Sequence, residues 1–353
     1  MNNQNFRKAL ADLGEEAGRI SEVILTGNEY LGREAAGHLF KVARHARDLN
    51  PWFTLDNVAF SLKSWSEALC EESVNKWLDR YQGKVDRIGR MLKVGVIMAG
   101  NIPLVGLHDA LCVLASGHKL IARTSTDDAG LTRAILELLI SFDSSLNDRI
   151  CFAEGKLQDF DCIIATGSTN TSRYFEYYFR NVPKIIRKNR NSVAIVRSGD
   201  DDFEGLGEDI FRYFGLGCRN VSLLFVPKET DIGLFMANFS RWSDVQEHTK
   251  YMNNYQYYKA LYLLNRDVFF DNGFFMMKPS ATMISPVGTV HYMLYEDISE
   301  VNSFLGDNHE KIQCIVDEQL LFPGSIRPGT TQFPALWDYA DGVDTMEFLL
   351  NRN

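Results

Sequence analysis

Apolar positions change their spacing twice along the chain, and each change marks a different kind of element. Phe6, Leu10 and Leu13 fall on one helical stripe, and Val58, Leu62, Trp65 and Leu69 repeat that spacing. Asn50-Pro51 breaks the pattern, so 48–51 is expected to turn between helices. From Leu92 onward the texture differs. Residues 94–99 form a continuous apolar run, as expected of a strand buried on both faces. A helix over 107–116, a strand over 119–122, a helix over 129–141 and short strands at 150–152 and 162–165 follow. Next come a helix over 168–180 and a strand over 192–196. Strands alternating with helices of this length predict βαβ crossovers and a parallel sheet. The alternation resumes with a strand at 223–226, a helix at 232–239 and a strand pair at 281–284 and 289–294. The stretch from Gln319, rich in Pro, Gly and aromatics, is expected to pack back on the body.

A length of 353 residues exceeds one typical core and predicts two domains, whose boundaries can be shared or discontinuous. The texture divides the chain into a helical region over 1–90, an α/β nucleotide-binding domain over 91–197, an α/β domain over 198–322 and a closing segment over 323–353. A net charge of −9 argues against nucleic acid or an anionic membrane as the main partner. No run of 18 apolar residues is long enough to span a bilayer, and the first 16 residues contain no signal-peptide core. The six cysteines lack CxxC or CxxH spacing, so neither a zinc site nor a disulfide framework is expected. A cytoplasmic protein without a metal is the expectation.

Among those cysteines Cys218 stands apart. It lies in Phe214-Gly215-Leu216-Gly217-Cys218-Arg219-Asn220, directly before an apolar strand. The glycines let the backbone bend and a substrate approach, and a neighbouring arginine favours a thiolate. Cys112 and Cys162 fall inside apolar patterns and read as small buried hydrophobes. No histidine forms a readable pair with Cys218; His108 and His118 read as structural. The alternative for Cys218 is a structural thiol in a tight turn.

Three further loops follow apolar strands, where open α/β sheets place ligands. Gly100-Asn101-Ile102-Pro103 offers an amide that can stabilise an oxyanion, or else an ordinary Asx turn. Thr166-Gly167-Ser168-Thr169 opens a helix and suits a phosphate, though the same residues cap helices well. Arg123-Thr124-Ser125 offers a cation and hydroxyls for a ribose or its 2′-phosphate, or else a solvated strand end. Between Arg173 and Arg190 six basic residues face one acid, Glu176, a local excess suited to a phosphorylated ligand or to a solvated face. No GxGxxG, P-loop, HExxH or GxSxG pattern is present.

Taken in order, Gly100-Asn101-Ile102-Pro103, Ala122-Arg123-Thr124-Ser125, Thr166-Gly167-Ser168-Thr169, Asn191 to Val196 and Gly215-Leu216-Gly217-Cys218 resemble the aldehyde dehydrogenase superfamily. More narrowly the chain resembles acyl-CoA reductases of the LuxC type, and Asn50-Pro51-Trp52-Phe53-Thr54 and His108-Asp109-Ala110-Leu111 are similar to the shorter, non-luminous members of that group. The resemblance implies an aldehyde dehydrogenase-like α/β fold: a Rossmann-type parallel-sheet cofactor domain, a second α/β catalytic domain and a helical N-terminal region. It implies Cys218 as the acyl-accepting nucleophile, with Asn101 and the Cys218 N–H as oxyanion donors. Arg123 with Ser125, and Thr166, Gly167, Ser168 and Thr169, become the cofactor-binding residues. The implied reaction reduces a long-chain fatty acyl-CoA, or another acyl thioester, to the aldehyde with NADPH, NADH being the alternative. Homo-oligomers are the default for such relatives.

Two departures stand out. Hydrolytic members carry a glutamate base just before the strand near Ser192, where this chain has Arg187-Lys188-Asn189-Arg190. The ribose-binding glutamate ahead of a Gly-Pro pair is also missing; Thr282 and Ser285-Pro286 stand there instead. A non-acylating aldehyde dehydrogenase and a catalytically silent nucleotide- or acyl-binding scaffold are the rival readings.

Overall fold

A computed structural model describes residues 3–85, 89–197 and 201–352. Its contacts divide the chain into two compact units, Met1–Asn189 with Phe333–Asn353, and Arg190–Gln332.

The first unit opens with helices Asn3–Ile24, Glu34–Leu49, Leu55–Ala68, Glu71–Asp79 and Gln82–Val85. The helical stripe is buried as expected: Phe6, Leu10, Leu13, Val58 and Leu62 are all inaccessible to solvent. Thr54 starts the third helix by accepting a hydrogen bond from Asn57 N, and Asn50 terminates the second. Five strands follow: β1 (Lys93–Ile97), β2 (Lys119–Arg123), β3 (Ile150–Phe152), β4 (Cys162–Thr166) and β5 (Lys184–Arg187). They pair in parallel in the order β3-β2-β1-β4-β5. Chain order reverses between β1 and β4, so the loops after β1, β2 and β4 emerge side by side at the carboxyl edge. Such a switch point is where open α/β sheets bind ligands.

The second unit holds β6 (Asn191–Ile195), β7 (Val221–Pro227), β8 (Phe270–Asp271), β9 (Met276–Pro279), β10 (Thr289–Tyr295) and β11 (Ile312–Asp317). Their order is β11-β6-β7-β10-β9-β8, parallel except for the β8–β9 pair. The helix Thr249–Asn265 buries Tyr251, Tyr255 and Tyr262. Helices Phe203–Phe211 and Ile298–Asn308 complete the main packing, Phe211 with Phe239 of the 3-10 segment Met236–Glu247 against one face of the sheet and Val301 and Leu305 against the other.

The structure corrects several sequence expectations. Strand β6 hydrogen-bonds to β7 and β11 rather than to the first sheet, and the two compact units divide just before it. No strand forms over 281–284. There Met283 O accepts from Ser222 Oγ and Thr282 O meets His291 Nδ1, so side chains hold the segment instead of a ladder. The partners of β10 are β7 and β9, both earlier in the chain. The helix expected over 232–239 is α-helical only at Ile232–Phe235 and continues as 3-10 turns.

Candidate functional site

At the carboxyl edge of the first sheet the strand-end loops are packed against one another. A Cβ added to Gly100 would sit 2.8 Å from both Asp128 N and Ser125 Cβ, so only glycine fits where the β1 loop crosses the β2 loop. Asn50 fastens the same crossing, its Nδ2 donating to Asp127 O at 2.9 Å while its Oδ1 accepts from Trp52 N. Asn101 follows, exposed in the turn after β1, and Ser61 Oγ secures the next residues by donating to Pro103 O.

Arg123 is the last residue of β2 and is exposed. Ser125 uses its hydroxyl locally, accepting from Asp127 N at 3.2 Å to cap a 3-10 turn. Behind that turn Asp128 is buried, accepts from Thr132 N and Oγ1, and is pushed up to about 6 by its burial. Thr166 ends β4, and Thr169–Tyr178 forms a helix capped by Ser168, whose Oγ accepts from Thr171 N. As a cap Ser168 bonds one N–H of the first turn, which leaves others open to the expected anion. A Cβ at Gly167 would lie 3.0 Å from Thr171 and Phe175, so glycine keeps the loop tight against its helix. The first unit thus brings Asn101, Arg123, Ser125, Thr166, Gly167 and Ser168 to one sheet edge. A cation, backbone N–H groups and hydroxyls there fit the phosphates and ribose of a dinucleotide.

Arg187 has a different task. It ends β5 and turns inward, its guanidinium bidentate to Asp109 at 2.6 and 2.9 Å. Nη2 also donates to Thr345 Oγ1 and Nη1 to Ala340 O. Burial opposes charge on both groups, but the ion pair overrides it, holding Asp109 below the usual carboxylate range and Arg187 above its own. His108 Nε2 donates to Leu336 O within the same core, and burial lowers its pKa. His118 likewise sits buried between Leu92 N and Leu349 O.

In the second unit the chain reaches Cys218 through a sharp reversal. Tyr213, Phe214 and Gly215 all have positive φ, at 53°, 58° and 75°. Two non-glycine residues in this region are strained and need tertiary support. Phe214 obtains it by packing on His248, with ring centroids 4.3 Å apart. Cys218 itself is exposed, whereas Cys112, Cys162 and Cys314 are buried, and none of the six forms a disulfide. Burial pushes the Cys112 thiol up well above its ordinary value and the Cys162 thiol up to about 11, which leaves both inert at neutral pH.

Each residue flanking Cys218 is tied down. Ser192 Oγ, from β6, donates to Cys218 O at 3.0 Å and accepts from Cys314 N on β11. Arg219 Nη1 donates to Thr331 O and meets Cys314 Sγ at 3.2 Å. Gly217 N donates to Asn220 Oδ1 at 2.8 Å. Sequence reasoning passed over Asn220, Ser192 and Asp209. Their signal lay only in small polar residues placed in or beside apolar strand and helix patterns. Asp209 is fully buried and accepts from Gly329 N, Thr331 N and Thr331 Oγ1; burial nonetheless pushes it up to about 7. Among the described residues no cluster of His, Cys, Asp or Glu is arranged to hold a metal, and no helix is long and apolar enough to cross a membrane.

No protein-family model and no curated protein matches the sequence. Solved structures do match. An oxidoreductase from Marinobacter aquaeolei superposes with a TM-score of 0.62 at 13% identity, over 90% of this chain and 73% of that one. The NAD+ complex of an aldehyde dehydrogenase from Bacillus cereus gives 0.54 at 13% identity, over 87% and 71%. The aldehyde dehydrogenase KauB from Pseudomonas aeruginosa gives 0.57 at 15%, over 87% and 72%. The chain therefore has an aldehyde dehydrogenase-like fold, α/β with parallel sheets and a helical N-terminal region.

Proposed function

We propose that the protein is an acyl-CoA reductase of the LuxC type, converting a fatty acyl thioester to the aldehyde with NADPH. The observation that carries this reading is Cys218: an exposed thiol on a strained, glycine-flanked turn, with its neighbours pinned by side chains of β6 and of the loops around it. The Cys218 thiolate attacks the thioester carbonyl, the C–S bond to coenzyme A breaks, and the acyl group is held as a Cys218 thioester. Asn101 and the Cys218 N–H serve as oxyanion donors, as the family likeness implies. Arg123, Ser125 and the Thr166–Thr169 turn hold the cofactor, with Arg123 favouring the 2′-phosphate of NADPH over NADH. A reduced nicotinamide bound there supplies a hydride. Reduction leaves a hemithioacetal on Cys218, and its collapse releases aldehyde and returns the thiolate.

Arg187 bears on the direction of the reaction. Where hydrolytic relatives carry a water-activating glutamate, this chain has a basic segment whose Arg187 is locked to Asp109. No base is supplied at that position to hydrolyse the acyl-enzyme. The same reading makes the first unit the cofactor domain, the second the catalytic domain, and the protein a cytoplasmic homo-oligomer.

The test is to incubate the intact chain with acyl-CoA of several lengths and measure its mass. An acyl adduct that maps to Cys218 and is discharged by NADPH as aldehyde is the expected result. Absence of any adduct on the folded protein sinks the proposal. An adduct discharged only by water, as acid, returns the non-acylating reading.

A further inference from the structure

The turn that carries Cys218 is organised around one side chain. Asn220 is 2% exposed, and its carboxamide spends its hydrogen-bonding capacity on backbone. Oδ1 accepts from Gly217 N at 2.8 Å; Nδ2 donates to Asp209 O at 3.0 Å and Arg212 O at 2.8 Å. Its own N–H donates to Gly217 O at 3.1 Å. Asn220 therefore joins the residue just before the nucleophile to the end of the helix Phe203–Phe211, across the left-handed reversal at 213–215. The tie continues outward. Asp209 holds Thr331 through its carboxylate, and Thr331 O accepts from Arg219, the residue just after the nucleophile. Gly217 and Arg219, on either side of Cys218, are thus fixed by one connected set of hydrogen bonds with Asn220 at its centre.

We propose that Asn220 is a positioning residue for Cys218: its carboxamide holds Gly217 N of the Leu216–Gly217 peptide while its own N–H holds Gly217 O of the Gly217–Cys218 peptide, and the two together set the Cys218 N–H and side-chain direction. Gly215 and Gly217, both just ahead of the thiol, add backbone freedom to this stretch, and the Asn220 carboxamide restricts it at Gly217 N. A misplaced nucleophile or oxyanion donor costs rate without costing binding. The role requires a carboxamide. Aspartate keeps the acceptor for Gly217 N but faces two carbonyl oxygens without a donor, and serine reaches neither side.

The proposal rests on the reading of Cys218 as nucleophile, and its test separates the two. The full chain and its Asn220→Ser and Asn220→Asp variants are compared by the rate of iodoacetamide modification of Cys218, followed by peptide mass because Cys70 and Cys151 are also exposed. They are compared again by kcat and KM for acyl-CoA reduction, with kcat counted per folded molecule. Expected are a change in the Cys218 modification rate and a kcat loss of roughly 10- to 100-fold with KM held within about threefold. Unchanged kcat per folded molecule and unchanged modification rate overturn the proposal. If the modification rate responds but the parent protein reduces no acyl-CoA, the reductase reading falls and the positioning role stands. Should neither variant fold, hydrogen exchange on the parent protein decides. Protection of the Gly217 amide in this exposed turn supports the tie to Asn220, and free exchange overturns it.

Discussion

The two sheets present their candidate loops in opposite ways. The first leaves Arg123, Ser168 and Asn101 exposed at strand ends and works mainly with what strand ends and helix starts supply: backbone N–H groups, a cap and a cation. The second surrounds one thiol with buried side chains: Asn220 accepts from Gly217 N, Ser192 donates to Cys218 O, and Asp209 holds Thr331, whose carbonyl accepts from Arg219. A diffuse anion is served by orientation and charge, which tolerate small shifts. Bond formation at a carbon demands placement within a fraction of an ångström, and buried polar side chains provide it.

The largest expected effect is at the thiol. Cys218→Ala should abolish the acyl adduct and lower turnover by about 10³-fold or more, read by intact mass and aldehyde release. Retention of the adduct would break the comparison outright, because the pinned turn would then present nothing reactive. Arg187→Ala comes next. It strands Asp109 as a buried, unpaired charge and should cost about 3–5 kcal/mol in denaturant unfolding. A much smaller loss would mean that the first unit relies less on its core polar groups than the geometry requires.

Asp209 gives a graded effect with a definite sign. Its folded pKa, about 7, lies above the ordinary 3.8, so the folded state holds the proton more tightly. Its contribution to stability is therefore most favourable below the unfolded value and declines as pH rises from 3.8 to about 7, then stays level. Measured against Asp209→Asn, the stability of the parent should fall across that window, by about 1.4 kcal/mol for every pH step of one between the two values. A difference independent of pH would show that the carboxyl is ionised throughout. The smallest effect is at the first sheet: Arg123→Ala should raise KM for NADPH roughly tenfold with kcat nearly unchanged, and move KM for NADH less. Equal changes for both cofactors would take the 2′-phosphate away from Arg123.

Legibility in the sequence follows the same contrast. Continuous apolar runs announced β1, β2 and β4, because strands covered on both faces need little else. The edge strand β5 was hidden inside a basic segment: Lys184 and Arg187 bracket two isoleucines, and the charges dominated the reading. β11 escaped notice because Gln313 and Cys314 interrupt its apolar run, and the apolar residues at 281–284 drew a strand that belongs at Met276–Pro279. At the site, Cys218 and the strand-end loops were visible as local words. Asn220 and Ser192 were not, since their meaning lies in which distant carbonyls and amides they reach. The basic segment at Arg187 was also visible, but only its inward turn onto Asp109 explains why it sits there.

The discontinuity of the first unit has a consequence for synthesis. Trp77 donates to Tyr339, Arg187 to Thr345, and His108 and His118 meet Leu336 and Leu349. A ribosome delivers all of Arg190–Gln332 before any of those partners, and domains tend to fold as they emerge. The unit bearing the thiol is thus complete while the unit begun first still awaits its closing residues. During that interval the buried charges at 109 and 187 lack part of their hydrogen-bond shell.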